Sequence, residues 1–219
     1  MAEKLKALCI DGLETLIGLI KKDFVTKEEF NYKPIAINSF TNSRNTVEMG
    51  TVITELTLNW SLSKKAKEQK IDNEIIDPSL NTKNLTAQNI TTNKTFTLAV
   101  KDEKEATATK QTSITFLNGV YYGVGTSNQE INNEFILGLT KGLQGSRGKT
   151  FTVNAGEGQH IYYAVPTRYG ACNFNVGGFD GGFNKVSTFQ FKNASGYTES
   201  YDVYKSTNAN LGNTTVKVS

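Results

Sequence analysis

The sequence predicts a mainly β protein: an N-terminal α-helix, then an immunoglobulin-like β-sandwich, then a second β-rich, sandwich-like domain with one short helix. Three observations predict this fold class: apolar residues spaced three and four apart near the N-terminus, alternating runs roughly ten residues apart, and a block over residues 160–204 rich in aromatics and glycines. Aromatic side chains suit half-buried strands, and glycine permits the tight turns between them. The predicted units are residues 1–31, 34–117 and 118–219.

Residues 3–22 are predicted to form the helix, because leucine and isoleucine recur at helical spacings without an intervening proline. One seam keeps the 3,4,3,4 spacing of a coiled coil: Ile10, Leu13, Ile17, Ile20 and Phe24. Further leucines widen the apolar arc, so either the β region of the same chain or neighbouring subunits must cover it. We favour neighbouring subunits and expect residues 1–31 to anchor or oligomerise the chain. Isoleucine mixed with leucine leaves dimer and trimer open, and a trimer is favoured.

The first β domain is predicted from clean alternation. Over residues 52–62 the even positions, from Val52 to Trp60 and beyond, form the side expected to be buried. Residues 96–100 and 114–116 repeat the pattern, with a charged turn at 101–105 between them. Several short strands around a single tryptophan are typical of an immunoglobulin-like or fibronectin-like sandwich, so Trp60 is predicted to be a core residue.

The second β domain is predicted to begin at Asn118-Gly119, which is either a hairpin turn or the junction between units. A short helix is expected around residues 131–143, and strands at 151–153, 161–165, 172–176, 186–191, 201–204 and 214–218. Because neighbouring strand residues point to opposite faces, at most one of Tyr162 and Tyr163 is expected in the core. Loop aromatics are candidates for binding a surface or a sugar: Tyr169, Phe179 and Phe183.

Composition argues against several partner classes. The net charge is only +3, with basic and acidic residues intermixed, so no nucleic-acid partner is expected. No apolar stretch reaches 18 residues, so no membrane insertion is expected. Asp11 and Glu14 interrupt what would be the apolar part of a secretory signal, which favours synthesis in the cytoplasm. Cys9 and Cys172 are far apart in sequence and are predicted to be buried or free thiols.

The sequence contains few residues in patterns that indicate catalysis. Gly148-Lys149-Thr150 resembles the end of a phosphate-binding loop, but Leu143 stands where that motif needs glycine. His160 is the single histidine, and nucleophilic catalysis by serine or cysteine usually needs a histidine base. Glu157 and Asp180 lie in glycine-rich segments and could form the carboxylate pair of a glycosidase, but no spacing in the sequence singles them out, and such carboxylates are more often turn residues. We therefore expect no enzyme: no catalytic residues, no cofactor and no metal ligands.

The order of motifs in residues 34–219 resembles structural modules of tail and baseplate proteins of bacteriophages and phage-like particles from Gram-positive hosts. The resemblance is carried by a strand that leads from Gly50 to Trp60, by residues 116–123 (FLNGVYYG) and 161–166 (IYYAVP), by a Gly-Phe-Asp-Gly-Gly-Phe turn at 178–183, and by a closing segment from Asn193 to Ser206. It implies a virion component without a reaction of its own, oligomeric, and held to the tail by its N-terminal helix. Its partners would be other tail or baseplate proteins and host cell-surface glycan.

Two alternative functions remain beside this interpretation. One is a carbohydrate-binding or adhesive module that works alone, through Tyr169 or Phe179. The other is a cell-wall glycan hydrolase that uses Asp180 and Glu157.

Overall fold

The computed structural model describes residues 10–18, 20, 29 and 31–219. Residues 10–18 and 20 are helical, within the helix predicted from the apolar spacing. Cys9 and Phe24 lie outside the described residues. The rest of the described chain is mainly β, as predicted, with sixteen strands.

The first sandwich is formed by eight strands: β1 (Ile37–Asn42), β2 (Thr46–Glu48), β3 (Leu56–Leu62), β4 (Glu68–Ile71), β5 (Glu74–Ile76), β6 (Thr82–Leu85), β7 (Lys94–Lys101) and the first half of β8 (Thr107–Thr126). A three-stranded sheet, β1-β3-β6, packs against the antiparallel series β8-β7-β4-β5. Their inner faces share one core, which includes Leu58, Trp60, Leu98 and Ile114. Three strands facing four is an immunoglobulin-like sandwich, and Trp60 lies in its core as predicted.

The predicted burial of Val52 is wrong. Val52 is 52% exposed, whereas its neighbour Ile53 is buried. The alternation breaks because β3 begins only at Leu56, and Ile53 instead forms an isolated bridge with Ile90. The alternating pattern over residues 52–62 therefore covers two elements, an isolated bridge and a strand. In the bridge the odd-numbered Ile53 is buried, whereas in the strand the even-numbered residues are buried.

Strand β8 passes from the first sandwich into the second without a break. Its first half pairs with β7, residues 115–117 pair in parallel with β2, and its second half pairs with later strands. Asn118-Gly119 lies inside this strand, so the hairpin-turn interpretation is wrong. The hydrophobic clusters nevertheless divide here, between Phe116 and Val120.

The second sandwich uses the other half of β8 and eight further strands: β9 (Thr140–Gln144), β10 (Lys149–Ala155), β11 (Gln159–Pro166), β12 (Phe174–Val176), β13 (Phe179–Asp180), β14 (Phe183–Lys192), β15 (Thr198–Ser206) and β16 (Gly212–Val218). The sheet β10-β16-β12-β13 packs on the series β14-β15-β11-β8. A 3-10 turn at Thr167–Tyr169 follows β11.

Strand β11 is buried on both faces. Tyr163 lies in the cluster between the two sheets, with Phe151, Phe174 and Val216. Tyr162 lies in a separate cluster on the opposite face, where Ile136 of the short helix helps to cover it. The expectation that at most one of these tyrosines is core is therefore wrong, since both are almost fully buried.

The predicted helix around 131–143 is real but shorter. It spans Asn133–Gly138, and the Asn132 side chain caps it by accepting a hydrogen bond from the backbone N–H of Phe135 at 2.9 Å. Leu139 is already extended, and β9 follows directly, paired with β8. The competing strand pairing ends the helix after its glycine at position 138.

Candidate assembly and surface-binding sites

The N-terminal helix presents an apolar surface that the described residues of its own chain leave uncovered. Its large side chains are 42 to 56% exposed: Ile10, Leu13, Leu16, Ile17 and Ile20. Four of them belong to the predicted coiled-coil seam, and Thr15 lies on the opposite side of the helix. No helix among the described residues has the length and apolar character needed to cross a lipid bilayer.

The chain enters the first sandwich through a clamp around Asp102, which lies in the turn between β7 and β8. The Tyr32 hydroxyl donates to Asp102 Oδ2 at 2.6 Å, and the Lys64 ammonium lies 2.6 Å from the same oxygen. The backbone N–H of Ile35 also donates to it at 3.2 Å. Lys64 and Lys104 lie over the Tyr32 ring, 4.3 and 4.9 Å from its centroid. The segment after the helix is thereby fixed to one end of the sandwich.

Protonation at this clamp follows from its contacts. Burial, the largest single effect, raises the pKa of Asp102, but the hydrogen bonds from Lys64, Tyr32 and two backbone N–H groups together lower it below its ordinary value. The hydrogen bond to Asp102, together with burial and the carboxylate charge, raises the pKa of Tyr32 to about 12. At neutral pH Asp102 is therefore ionised and Tyr32 is protonated, which are the forms that make this hydrogen bond.

The two sandwiches are joined by more than β8. Glu48, buried at the end of β2, accepts hydrogen bonds from the Tyr121 hydroxyl at 3.1 Å and from Lys141 Nζ at 2.8 Å. Tyr121 and Lys141 belong to the second sandwich, so one carboxylate from the first sandwich holds two groups from the second. Burial, and then the Glu48 charge, raise the pKa of Tyr121.

A second contact lies at the turn between β14 and β15. The buried Asn193 side chain donates to the backbone carbonyl of Met49 at 2.8 Å. Gly50 has a φ of +90°, and a Cβ placed on it would lie 2.7 Å from Tyr197 Cβ. Only glycine fits this approach, so the two sandwiches form a closely packed junction.

The strand register gives the molecule two ends. β8 has 20 residues, and at the usual rise per residue it is about 65 Å long. Its first residue pairs with Lys101, beside the Asp102 clamp. Its last residue pairs with Gln159, at the far end of the second sandwich. We call the end at the clamp the entry end, and the end at Gln159 the distal end.

The hairpin β12–β13 belongs to the distal end. Its Gly182 carbonyl accepts a hydrogen bond from the N–H of Thr207 at 2.9 Å, directly after β15 ends. The turn is formed by Gly177 and Gly178, which have φ values of +58° and +95°. Two consecutive positive φ values define a type I′ turn, for which glycine is well suited. Phe179 follows the turn and is 81% exposed, the most exposed large apolar side chain among the described residues.

The other two candidate surface aromatics are packed. Phe183 stacks on Phe174 with ring centroids 4.2 Å apart. The Tyr169 hydroxyl donates to the carbonyl of Gln144 at 2.8 Å, and its ring packs against the core of the second sandwich. The structure does not bring the three candidates together as one exposed surface.

Of the residues considered for catalysis, His160 and Asp180 already have partners in the described chain. His160 is nearly buried, and its Nδ1 lies 2.8 Å from the carbonyl oxygen of Ser206. Glu157 is exposed in the turn between β10 and β11, and Asp180 accepts a hydrogen bond from Asn175 at 2.7 Å. Residues 149–155 after Gly148 form a strand, not the helix that a phosphate-binding loop needs. Within the described ranges, no group of three or more metal-ligating side chains comes together.

Cys172 is a free, half-buried thiol. Burial is the main cause that raises its pKa to about 11. At neutral pH the thiol therefore stays protonated and weakly nucleophilic.

Comparisons with known proteins give no family. No protein-family model matches the sequence, and no curated protein matches it. Among solved structures, chitinase ChiA74 from Bacillus thuringiensis has a TM-score of 0.32 at 11% identity, over 94% of this chain and 29% of the chitinase. The N-terminal eight Ig domains of Down Syndrome Cell Adhesion Molecule (DSCAM) isoform 1.30.30 have a TM-score of 0.25 at 11% identity, over 82% of this chain and 26% of that one. The chain spans less than a third of either structure, and scores this low carry no argument about function.

Sequence reasoning found the apolar seam and Phe179 but missed the residues that fix the arrangement. Asp102 appeared only as part of a charged turn, and Glu48 carried no signal. Both are acidic residues buried by contacts from distant parts of the chain, 70 residues away for the Tyr32 pair and 73 for the Tyr121 pair. The spacing of neighbouring residues in the sequence does not predict such contacts.

Proposed function

We propose that this chain is a non-enzymatic structural protein of a phage tail or baseplate, acting as a fibre or receptor-binding component. Its N-terminal helix assembles with copies of itself or with other tail proteins, with a trimer favoured, and its β region projects outward. The observation that carries the proposal is the exposed apolar surface of the helix, which the described residues of the chain leave uncovered, while each of the two sandwiches has a buried core of its own.

The positions of the two ends support this role. The Asp102 clamp fixes the chain where it enters the first sandwich, and the exposed Phe179 lies at the distal end. The continuous β8, the Glu48 contacts and the Gly50 contact hold the two sandwiches in one orientation. A body whose two sandwiches are held in one orientation is suited to presenting its far end to another surface.

The assembly proposal is tested with the double variant Leu13→Glu/Ile17→Glu. Charges on the seam oppose helix association, so the assembled species seen by light scattering should fall to the monomer mass. Thr15→Glu, on the opposite side of the same helix, is the matched control and should leave the mass unchanged. Incorporation into particles should follow the same order in a complementation assay.

Two results together would refute the assembly role: a wild-type chain that is a monomer by light scattering, and normal incorporation into particles of a variant that lacks residues 1–25. A monomer that binds glycan by itself would instead favour the stand-alone adhesive module, for which the exposed Phe179 is the supporting observation.

A further inference from the structure

The second sandwich has two different flanks. On one of them β13 and β14 are the edge strands, and Phe183 of β14 stacks on Phe174 of β12. On the other, β9 and β10 are the edge strands, and Tyr122 of β8 packs on Phe151 of β10. We call the first the hairpin flank and the second the groove flank.

The hairpin flank presents one protruding aromatic ring. Phe179 of β13 is 81% exposed, and its pairing with Val176 puts it on the face of the hairpin opposite to Asp180. A Cβ placed on Gly178 or Gly181 would meet no atom within 4 Å, so the space around the hairpin is open. Aromatic side chains are enriched at the centres of protein interfaces, and this ring is free to enter one.

The groove flank has an apolar groove beyond the end of β9. Strand β9 pairs with β8 only as far as Tyr122, which leaves the following residues of β8 at the edge of the sheet, beside the short helix. Two adjoining hollows of about 440 and 310 Å³ open here, and Phe135 and Val153 contribute apolar surface to them. The two hollows share three lining residues: Val124, Gly138 and Leu139. On the order of 150 Å³ of apolar space holds a benzene ring, so the groove is large enough for one phenyl side chain.

The strand register puts the ring and the groove at similar heights along the body. Residue pairs connect Phe179 across β12 and β16 to Phe151 of β10. The Phe151 ring lies 4.5 Å from the Tyr122 ring, and Val124 of the groove is two residues further along β8. At about 3.4 Å per residue, this is a difference in height of about 7 Å. Two copies that stand side by side in parallel therefore bring the ring of one close to the groove of the other.

The charges on the two flanks are complementary. Glu130 and Glu134 line the groove, and neither has an ion-pair partner among the described residues. Lys185, whose side chain is 52% exposed, belongs to β14 on the hairpin flank. Asp180 of the hairpin faces the other way and accepts a hydrogen bond from Asn175. Contact between the two flanks brings a cation towards two unpaired carboxylates, which favours association in this orientation.

We propose that Phe179 of one copy of this chain inserts into the groove of a neighbouring copy, between Val124 and Leu139. The proposal rests on the proposed function, in which the helix holds copies together in parallel, and it adds a contact between the β bodies. Because two different surfaces meet, the contact is heterologous and repeats from copy to copy around the assembly axis. A closed ring of copies covers every Phe179 and fills every groove.

The test is photo-cross-linking of the full-length protein with p-benzoylphenylalanine in place of Phe179. Mixed assemblies of isotope-labelled and unlabelled chains distinguish cross-links between copies from cross-links within one copy. We expect cross-links between copies, on peptides that carry Val124 or residues 135–139. The same photoreactive residue in place of Ile75, which is 73% exposed on the first sandwich, is the control and should give no cross-link to the groove.

A second variant closes the groove without touching Phe179. A Cβ on Gly138 would meet no atom within 4 Å, and Gly138 is not among the glycines with positive φ, so Gly138→Leu should fold normally. It should lower the yield of cross-links from position 179 at least about tenfold, as loss of an interface anchor does. Thr109→Leu adds the same side chain at an exposed position on the first sandwich and should leave the yield unchanged.

Light scattering on the same samples separates this proposal from the helix assembly. An assembled wild-type chain that gives no cross-link to the groove would overturn the groove contact alone. Cross-links from position 179 to a different surface, or an unchanged yield in Gly138→Leu, would do the same. A wild-type chain that is a monomer by light scattering would overturn both proposals.

Discussion

Replacing either tyrosine of the pair in β11 by alanine should destabilise the second sandwich strongly. Tyr162 and Tyr163 are 1% and 0% exposed, in clusters on opposite faces of the strand. Truncation of a buried large aromatic costs about 3–5 kcal/mol, because the cavity that remains collapses only in part. If one of the pair were exposed, as strand alternation alone suggests, its truncation would change stability by about 0.5 kcal/mol or less.

The assay is urea unfolding followed by far-ultraviolet circular dichroism. With an m-value of about 2–3 kcal/mol/M, each alanine variant should lower the urea midpoint by roughly 1–2.5 M. Tyr162→Phe and Tyr163→Phe keep the rings but lose the hydroxyl bonds to the carbonyls of Thr126, at 2.8 Å, and Arg147, at 2.6 Å. Each should cost only about 0.5–1.5 kcal/mol.

Phe179→Ala is the exposed control and should leave the midpoint within experimental error. A small shift for Tyr162→Ala together with a large shift for Tyr163→Ala would refute double burial. That result would mean that the short helix Asn133–Gly138 does not cover the outer face of the sheet.

Three further predictions concern the junction, the clamp and the thiol. Gly50→Ala should lower the free energy of unfolding by about 1–3 kcal/mol, because the new side chain would have a positive φ and would contact Tyr197. Gly158→Ala is the control, since Gly158 has a φ of +70° but a Cβ there would meet nothing within 4 Å. It measures the φ contribution alone and should lower the free energy of unfolding by less in the same urea experiment. The lowered pKa of Asp102 stabilises the fold above about pH 4 and this contribution is lost as pH falls further. Asp102→Asn should therefore be less stable at pH 7 and show a flatter loss of stability between pH 4 and pH 2; an unchanged slope would contradict the clamp. In a Cys9→Ser variant, Cys172 of the folded protein should react slowly with a thiol reagent at pH 7.5, because its pKa is raised to about 11. In denaturant the same thiol should react completely. Rapid reaction of the folded protein would show that the thiol is not protected.

Local chemistry was enough to predict much of the molecule. Alternation found β7 with Phe96, Leu98 and Val100 buried, and it placed Trp60 in a core. The glycines after β12 correctly indicated a tight turn. These features depend on neighbours within a few residues, so the sequence contains the physical information that determines them.

The candidate site was predictable only in part. Phe179 was one of three candidate aromatics, and only the packing of the other two distinguishes it from them. Phe183 stacks on Phe174, nine residues earlier in the chain, and Tyr169 reaches the Gln144 carbonyl, so neither presents an open ring. Sequence spacing alone could not rank the three.

The sequence by itself determined the mainly β class, the apolar seam from Ile10 to Ile20, and the scarcity of reactive groups. Only the tertiary structure decided that both faces of β11 are covered, that β8 runs through Asn118-Gly119 instead of turning there, and that Asp102 and Glu48 are buried. The physical reason is that alternation tells which side chains share a face of a strand. Whether a second layer covers that face, and which distant residues pair with a buried charge, depends on how the sheets pack.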